Sequence, residues 1–385
     1  MATSPNFSWP EPDNTDLVKN GALAIRTAVD AIDSSMADLK GGTTGQVLTK
    51  ASGTDMDFTW STASGGSNQF YAGKNKIING DFGIWQRGTS FTIATGNGAY
   101  TADRFEAINE SGANLTTSRQ TFTPGTAPVV GYEGEYFCRL ATTSATGDTY
   151  IVQRIEDVRS FAGQTVTVSF WAKCASGTVS SNGYYLQGFG TGGSSTVFAN
   201  LGAVTITTSW QRFTQTIAIP SVSGKTIGAN SSLSFQVLRY AASNTVDLWG
   251  VQVEAGSSAT SFQTATGTIQ GELAACQRYY YRLTADTAYS QFTNYSPAFS
   301  STAVTVQVPI RVTMRVKPTS VDYSTVTLAD GTNFVTASTV AVGTHASASI
   351  PLIDIGATGM TATTRSYSLW ANNSTSAYLG ISAEL

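Results

Sequence analysis

Charge is what this sequence lacks most. Asp, Glu, Lys and Arg supply 12% of its 385 residues, about half the share of an average soluble chain. The formal net charge is −3, and no basic footprint marks a nucleic-acid partner. No apolar run approaches the ~20 residues that a membrane helix needs, so no membrane insertion is expected. The opening residues, MATSPNFSWPEP, lack the charged and apolar regions of a signal peptide. Cysteine is scarce: Cys138, Cys174 and Cys276 lie far apart, form no disulfide framework and show no zinc spacing. They read as small buried hydrophobes in a chain made in a reducing cytoplasm.

Histidine is rarer still. His345 is the single one, so no Ser-His-Asp or Cys-His arrangement is completed. Two carboxylate pairs, Glu133/Glu135 and Glu156/Asp157, are so close in sequence that they read as solvated edge residues rather than a glycosidase pair. Phosphate-loop, dinucleotide and EF-hand spacings are absent, as is the repeat period of a long β-helix. No catalytic residue, metal or cofactor is expected, and the chain is read as a non-enzyme.

What fills the gap is Gly, Ser, Thr and Ala, with 11% aromatics. Disorder calls for high net charge and few aromatics, so this composition fits an all-β surface solvated by hydroxyls. The length allows two or three domains. One helical pattern stands out within residues 1–40. Val18, Ala22, Ile25, Val29, Ile32, Met36 and Leu39 alternate spacings of four and three, a heptad seam with Ile25 and Ile32 at d. Asp13 or Thr15 caps its start and Gly41 ends it. Isoleucine at d leans toward three or more strands, so a trimeric coiled coil is predicted. The same spacing also suits an amphipathic helix packed on the protein's own body. Ahead of it, Phe7 and Trp9 sit beside Pro10 and Pro12, in an extended segment that offers two aromatic anchors for docking.

Residues 41–62 predict a small β-hairpin. Val47 and Leu48 fall in one strand, 52–55 form a turn, and Met56, Phe58 and Trp60 alternate with polar residues in the second. Such a hairpin is marginal alone and needs a neighbour, most simply a copy from another chain. Residues 63–75, containing SGGSNQ, are expected to be a flexible linker. Residues 76–265 form a first β domain, with strands expected over 165–171, 205–219 (interrupted near Ser209) and 233–238. Residues 266–284 form a connector with a short helix, in which Ile269, Leu273, Cys276 and Tyr280 share helical spacing. Its Tyr279, Tyr280 and Tyr281 either form a sugar platform or alternate between core and interface. Residues 285–385 form a second β-sandwich, with Pro309 and Pro318 at strand edges.

Three groups of motifs resemble a known class. GGTTGQVLTKASGTDMDFTW at 41–60, after SWPEPDNTDLVKNGALAIRTAVDAID, resembles the attachment end of bacteriophage tail fibres. NKIINGDF, FWAK, the W-x-x-F at Trp210 and Phe213, and VQVEAGSSATSF resemble the galactose-binding-like jelly rolls of such fibres and of carbohydrate-binding modules. Pro309, Lys317, Pro318 and Thr319 match a strand and turn of their terminal β-sandwich. The resemblance implies a receptor-binding virion protein: a homotrimer assembled in the host cytoplasm, joined at its N-terminus to another virion protein of the tail, baseplate or capsid. It also implies that residues 79–82 lie beside 248–253.

Recognition of host cell-surface polysaccharide is the expected function, since aromatic faces and amides suit the C–H faces and hydroxyl rims of sugars. Glycan-binding candidates are Trp85, Tyr184 and Tyr185 with Gln86, Arg87 and Gln187 in the first β domain. In the second they are Trp370, Asn372, Asn373 and Tyr378, with Tyr367 nearby. The C-terminal cluster is favoured, because it lies at the end opposite the attachment helix, and each aromatic also reads as core or trimer interface. A decoration fibre without a receptor and a polysaccharide depolymerase are the alternatives.

Overall fold

The computed structural model describes residues 2–3, 5, 10–11, 18, 21–44, 46–62, 72–110, 114–129, 132–143, 146–361 and 365–385. The chain divides into two compact units, residues 1–69 and 70–385. No helix among the described residues is long and apolar enough to cross a membrane.

The first unit pairs β1 (Ala2–Thr3) with β2 (Pro10–Glu11), then forms α1 (Gly21–Met36) and a 3-10 turn at Ala37–Leu39. Strands β3 (Gln46–Lys50) and β4 (Phe58–Thr62) make the expected hairpin, with Leu48 opposite Trp60. Met56 departs from expectation: it lies in the turn at φ +61° instead of in the strand. Gly42, at φ +80°, packs so closely under Trp60 that a Cβ there would meet the indole at 2.6 Å. The Asp38 carboxylate accepts from Phe58 N, tying turn to hairpin. Among the described residues the helix covers 16 residues, and Leu39 falls in the 3-10 turn that follows. This is no long coiled coil. Ile25, at 58% exposed, and Val29 and Met36 face solvent, whereas Ala24, off the predicted seam, is buried. The proposed caps Asp13 and Thr15 and the docking aromatics Phe7 and Trp9 lie outside the described residues, as does the linker over 63–71.

The second unit opens with residues 72–75, which are anchored to the body and are not flexible linker. Asn75 is fully buried; its side chain donates to Val251 O and Gln263 O and accepts from Val253 N. Val251 N donates to Gly80 O, which sets 79–82 beside 248–253 as expected. Gly80 has no room for a side chain, because its Cβ would fall 2.2 Å from Val251 O.

Twelve strands follow: β5 (Ser90–Ile93), β6 (Asn97–Tyr100), β7 (Glu106–Asn109), β8 (Leu115–Thr121), β9 (Tyr136–Thr142), β10 (Thr149–Glu156), β11 (Thr165–Cys174), β12 (Val179–Gly188), β13 (Val197–Ile206), β14 (Gln211–Ala218), β15 (Ser232–Tyr240) and β16 (Thr245–Ala255). They form two six-stranded antiparallel sheets, β13-β12-β15-β10-β7-β6 and β14-β11-β16-β9-β8-β5. The interruption expected near Ser209 is the connection between β13 and β14. The sheets face each other as a jelly-roll β-sandwich over one apolar core that includes Phe82, Phe105, Phe170, Tyr185, Phe235 and Val253. Cys138 and Cys174 are free and buried here, as read, and Cys276 is likewise free and buried.

Helix α2 (Ile269–Gln277) begins at Thr268, whose side chain accepts from Gly271 N. A second sandwich follows: β17 (Tyr280–Thr284), β18 (Ser296–Pro297), β19 (Ala303–Gln307), β20 (Ser320–Ser324), β21 (Val326–Ala329), β22 (Phe334–Val342), β23 (Leu352–Ala357), β24 (Ser366–Ala371) and β25 (Tyr378–Ser382). Its sheets are β17-β25-β20 and β18-β24-β21-β22-β23-β19.

The two sandwiches meet through stacked arginines. Arg104, almost wholly buried, pairs with Glu384, donates to Arg154 O and lies 3.3 Å from the Tyr279 ring centre. Arg87 reaches the same carboxylate and stacks on Tyr280 at 3.6 Å. Gln86 donates to Asp103 and to Tyr280 O. Tyr279, Tyr280 and Tyr281 are all buried. They form no sugar platform: Tyr281 enters the core of the second sandwich, while Tyr279 and Tyr280 meet the junction arginines, an alternation between core and interface.

Candidate functional site

Strand alternation decides what the outer face of the β13-to-β6 sheet presents. Tyr184 pairs with Asn200 on β13 and Gln236 on β15, and Leu186 pairs with Phe198 and Ser234. Successive side chains point to opposite faces, so Tyr185, 3% exposed, enters the core while Tyr184 stays outside, half-buried. Tyr184, Leu186, Phe198, Gln236 and Arg239 line an open cavity of about 310 Å³. Phe198, 65% exposed, forms a wall. The floor is polar yet sheltered: Gln236 and Ser234 are 9% and 8% exposed.

Arg239 closes one side of this groove. Its guanidinium stands over Tyr150 at 4.8 Å and Tyr184 at 5.5 Å. Nε donates to Asp148 Oδ2 at 2.9 Å, while Nη1 and Nη2 donate to the two Glu110 oxygens at 3.1 and 2.7 Å. Nη1 also donates to Gln236 Oε1 at 3.3 Å. Burial works against its charge, but the carboxylates of Glu110 and Asp148 hold it above its ordinary pKa. An aromatic wall, a sheltered amide and a fixed guanidinium together can stack on an apolar ring face and bond the hydroxyls around it.

No family model matches the chain, and no curated protein matches it. Among solved structures, the xylan-binding CBM22-1 domain of Paenibacillus barcinonensis Xyn10C aligns at 12% identity and a TM-score of 0.29, covering 50% of this chain and 100% of that one. The enzymatically active domain of bacteriophage CBA120 tailspike protein 4 aligns at 10% identity and 0.29, covering 48% and 22%. The Stig cyclase Fisc from Fischerella sp. TAU aligns at 14% identity and 0.31, covering 49% and 100%. Scores this low carry no functional inference.

The other sequence candidates separate by burial. Trp85 is a core residue, 8% exposed, with its indole N–H given to Phe82 O. Trp85 and Tyr185 therefore leave the candidate set. Gln187 is buried and donates to Pro220 O, and Gln86 and Arg87 belong to the junction. In the second sandwich, Tyr367 is buried and its hydroxyl accepts from Thr361 N. Trp370 is half-buried on β24 opposite Thr327, and its indole N–H is spent on Ser368 Oγ. Asn372 and Asn373 are exposed in the following turn, Asn373 at φ +52°. Tyr378 lies in the other sheet, 3.5 Å under Arg282, which also donates to Arg87 O. Trp370 and Tyr378 therefore lie in different sheets. Phe198, Gln236, Arg239 and Tyr150 were missed. Their signal was the register that sets them beside Tyr184, which no single strand carries.

Carboxylates gather elsewhere too. Asp81, Tyr132, Glu133, Glu135 and Ile269 line a surface depression of about 310 Å³, and Glu272 lines an adjoining one with Asp81 and Tyr132. Burial raises the pKa of Asp81, against the hydrogen bond from the Tyr132 hydroxyl at 3.0 Å. Burial raises Glu272 as well, although its oxygens accept from Asn79 N, Thr266 N and Thr266 Oγ1. Glu133 accepts from Gly125 N. Glu156 pairs with Arg278 and Asp157 with Arg159. These carboxylates are tied into the scaffold as local anchors. His345 sits exposed in a turn between β22 and β23.

Proposed function

We propose that this chain is a non-catalytic glycan-binding component of a bacteriophage fibre, and that sugar binds in the groove between Tyr184, Phe198 and Arg239. The observation that carries the reading is the polar floor sheltered beneath two solvent-facing aromatics. Phe198 is left 65% exposed at the edge of a cavity that the nearly buried Gln236 also lines. The virion location and the docking of Phe7 and Trp9 onto another virion protein rest on the N-terminal motifs. The homotrimer rests on those motifs and on the exposed stripe of Ile25, Val29 and Met36, which three copies would bury against one another. One groove is a weak site, and three on one fibre bind by avidity.

The test is titration of the purified full chain against host-surface polysaccharides, with Tyr184→Ala and Phe198→Ala alongside. Binding lost in both variants, with unchanged thermal unfolding, supports the groove. Binding unaffected by both removes it. Light scattering of the intact chain should give three times the monomer mass, and Ile25→Asp with Ile32→Asp should weaken that association.

A further inference from the structure

The charges around the groove are unequal. Arg239 is its one lining cation, and both of its hydrogen-bonding edges are already taken, by Glu110 and by Asp148. Both carboxylates remain substantially exposed, at 40% and 38% of their side chains, whereas Arg239 retains 19%. A ligand arriving at this wall therefore meets two carboxylates sooner than it meets the guanidinium. Farther along the same sheet face, Arg154 donates through Nη1 to Glu106 and to the Tyr100 hydroxyl, so its charge is offset by a carboxylate. Summed over these five side chains, the face carries net negative charge. A guanidinium that recognised a sugar carboxylate would need an open bidentate edge, and Arg239 has none.

We infer that the groove selects uncharged glycans and rejects acidic ones, with Glu110 and Asp148 as the residues that set this selectivity. The inference rests on the proposed reading of the groove and names its substrate class. Glu110 and Asp148 have two roles. They hold the Arg239 plane against Tyr150 and Tyr184, and they repel a uronate or sialate that would otherwise compete for that plane. Selectivity of this kind comes from the repulsive element as much as from the attractive one.

The experiment uses the full chain and a panel of soluble hexose polymers (glucans, galactans and mannans), each before and after oxidation at C6 to the uronate. The expected result is binding to at least one neutral polymer, weakened about three- to fivefold by oxidation, as one like-charge contact at a partly exposed site produces. Raising salt from 0.05 to 1 M should narrow that gap, because screening shortens to about 3 Å. Glu110→Gln with Asp148→Asn should narrow it at low salt. The salt arm needs no variant and holds if the double variant folds poorly. An oxidised polymer bound as tightly as its neutral parent, and lost in Tyr184→Ala, overturns the inference and leaves the groove standing. Failure of every polymer to bind overturns the groove reading and this selectivity together.

Discussion

Two of the places in the second unit where arginine lies on tyrosine differ in what surrounds them. In the groove, Arg239 stands over Tyr150 and Tyr184 with an open cavity beside it. At the junction, Arg104 lies on Tyr279 and Arg87 on Tyr280, and both guanidinia turn to Glu384. The residue types match; the solvent does not. At the groove, partly wet carboxylates cost little to leave unpaired and the aromatic edge stays available to a ligand. At the junction, water is excluded, so each polar group is committed to another and the arrangement fixes one sandwich on the other. Aromatic and basic residue types alone do not mark a binding site; their access to water does.

The sharpest way to break this comparison is the same truncation in both places. Arg104→Ala should lower stability by about 2–3 kcal/mol, because it removes one of the two guanidinia on the nearly buried Glu384 carboxylate. Arg239→Ala should cost about 1 kcal/mol or less, since Glu110 and Asp148 are solvated. Paired denaturant unfolding curves measure both, and equal losses would remove the distinction. Next come the adjacent tyrosines. Tyr185→Ala should cost about 3–4 kcal/mol as a core truncation, while Tyr184→Ala should stay within about 1 kcal/mol and abolish glycan binding.

A third test uses pH. Burial raises the Asp103 carboxyl to about 6, against the pull of Arg87 and the hydrogen bonds from Gln86. The unfolded chain protonates this group only near 3.8. Between these values the folded state binds the extra proton. The stability contributed by Asp103 therefore rises as pH falls from 7 through 6 toward 4, by up to about 3 kcal/mol. Asp103→Asn should flatten that part of the profile in thermal unfolding, and an unaltered profile would show that the junction is wetter than described. The smallest effect is expected at Trp370→Ala. Half-buried on its own strand, this residue should cost about 1–2 kcal/mol without reducing glycan binding. Loss of binding there would move the recognition surface to the second sandwich.

Local features were legible in the sequence. Val47, Leu48, Phe58 and Trp60 paired as their alternation required, and α2 formed where Ile269, Leu273 and Cys276 shared a spacing. Part of the heptad seam also formed a helix, but it stopped at Met36, since a helix end depends on what packs there as much as on spacing. The candidate site was half legible. Tyr184 and Tyr185 are indistinguishable as residues, and only the pairing of β12 with β13 and β15 decides which one faces out. Trp85 looked like a sugar platform because its partner, Phe82 O, lies in a turn rather than in a periodic strand. The junction was illegible for a different reason: its arginines and their carboxylate are separated by nearly the whole second unit.

That separation has a consequence for synthesis. Arg104 leaves the ribosome 280 residues before Glu384. The jelly roll is therefore complete in sequence while one of its buried cations still has no anion, and Arg87 waits for the same group. Loop closure over such a span adds entropy only slowly with length, so the delay is set by translation rather than by chain search. Until β25 and the residues after it emerge, that face of the jelly roll meets water where Tyr279, Tyr280 and Glu384 will later cover it. Without Glu384 the junction face of the jelly roll keeps Arg104 and Arg87 but not the carboxylate they share.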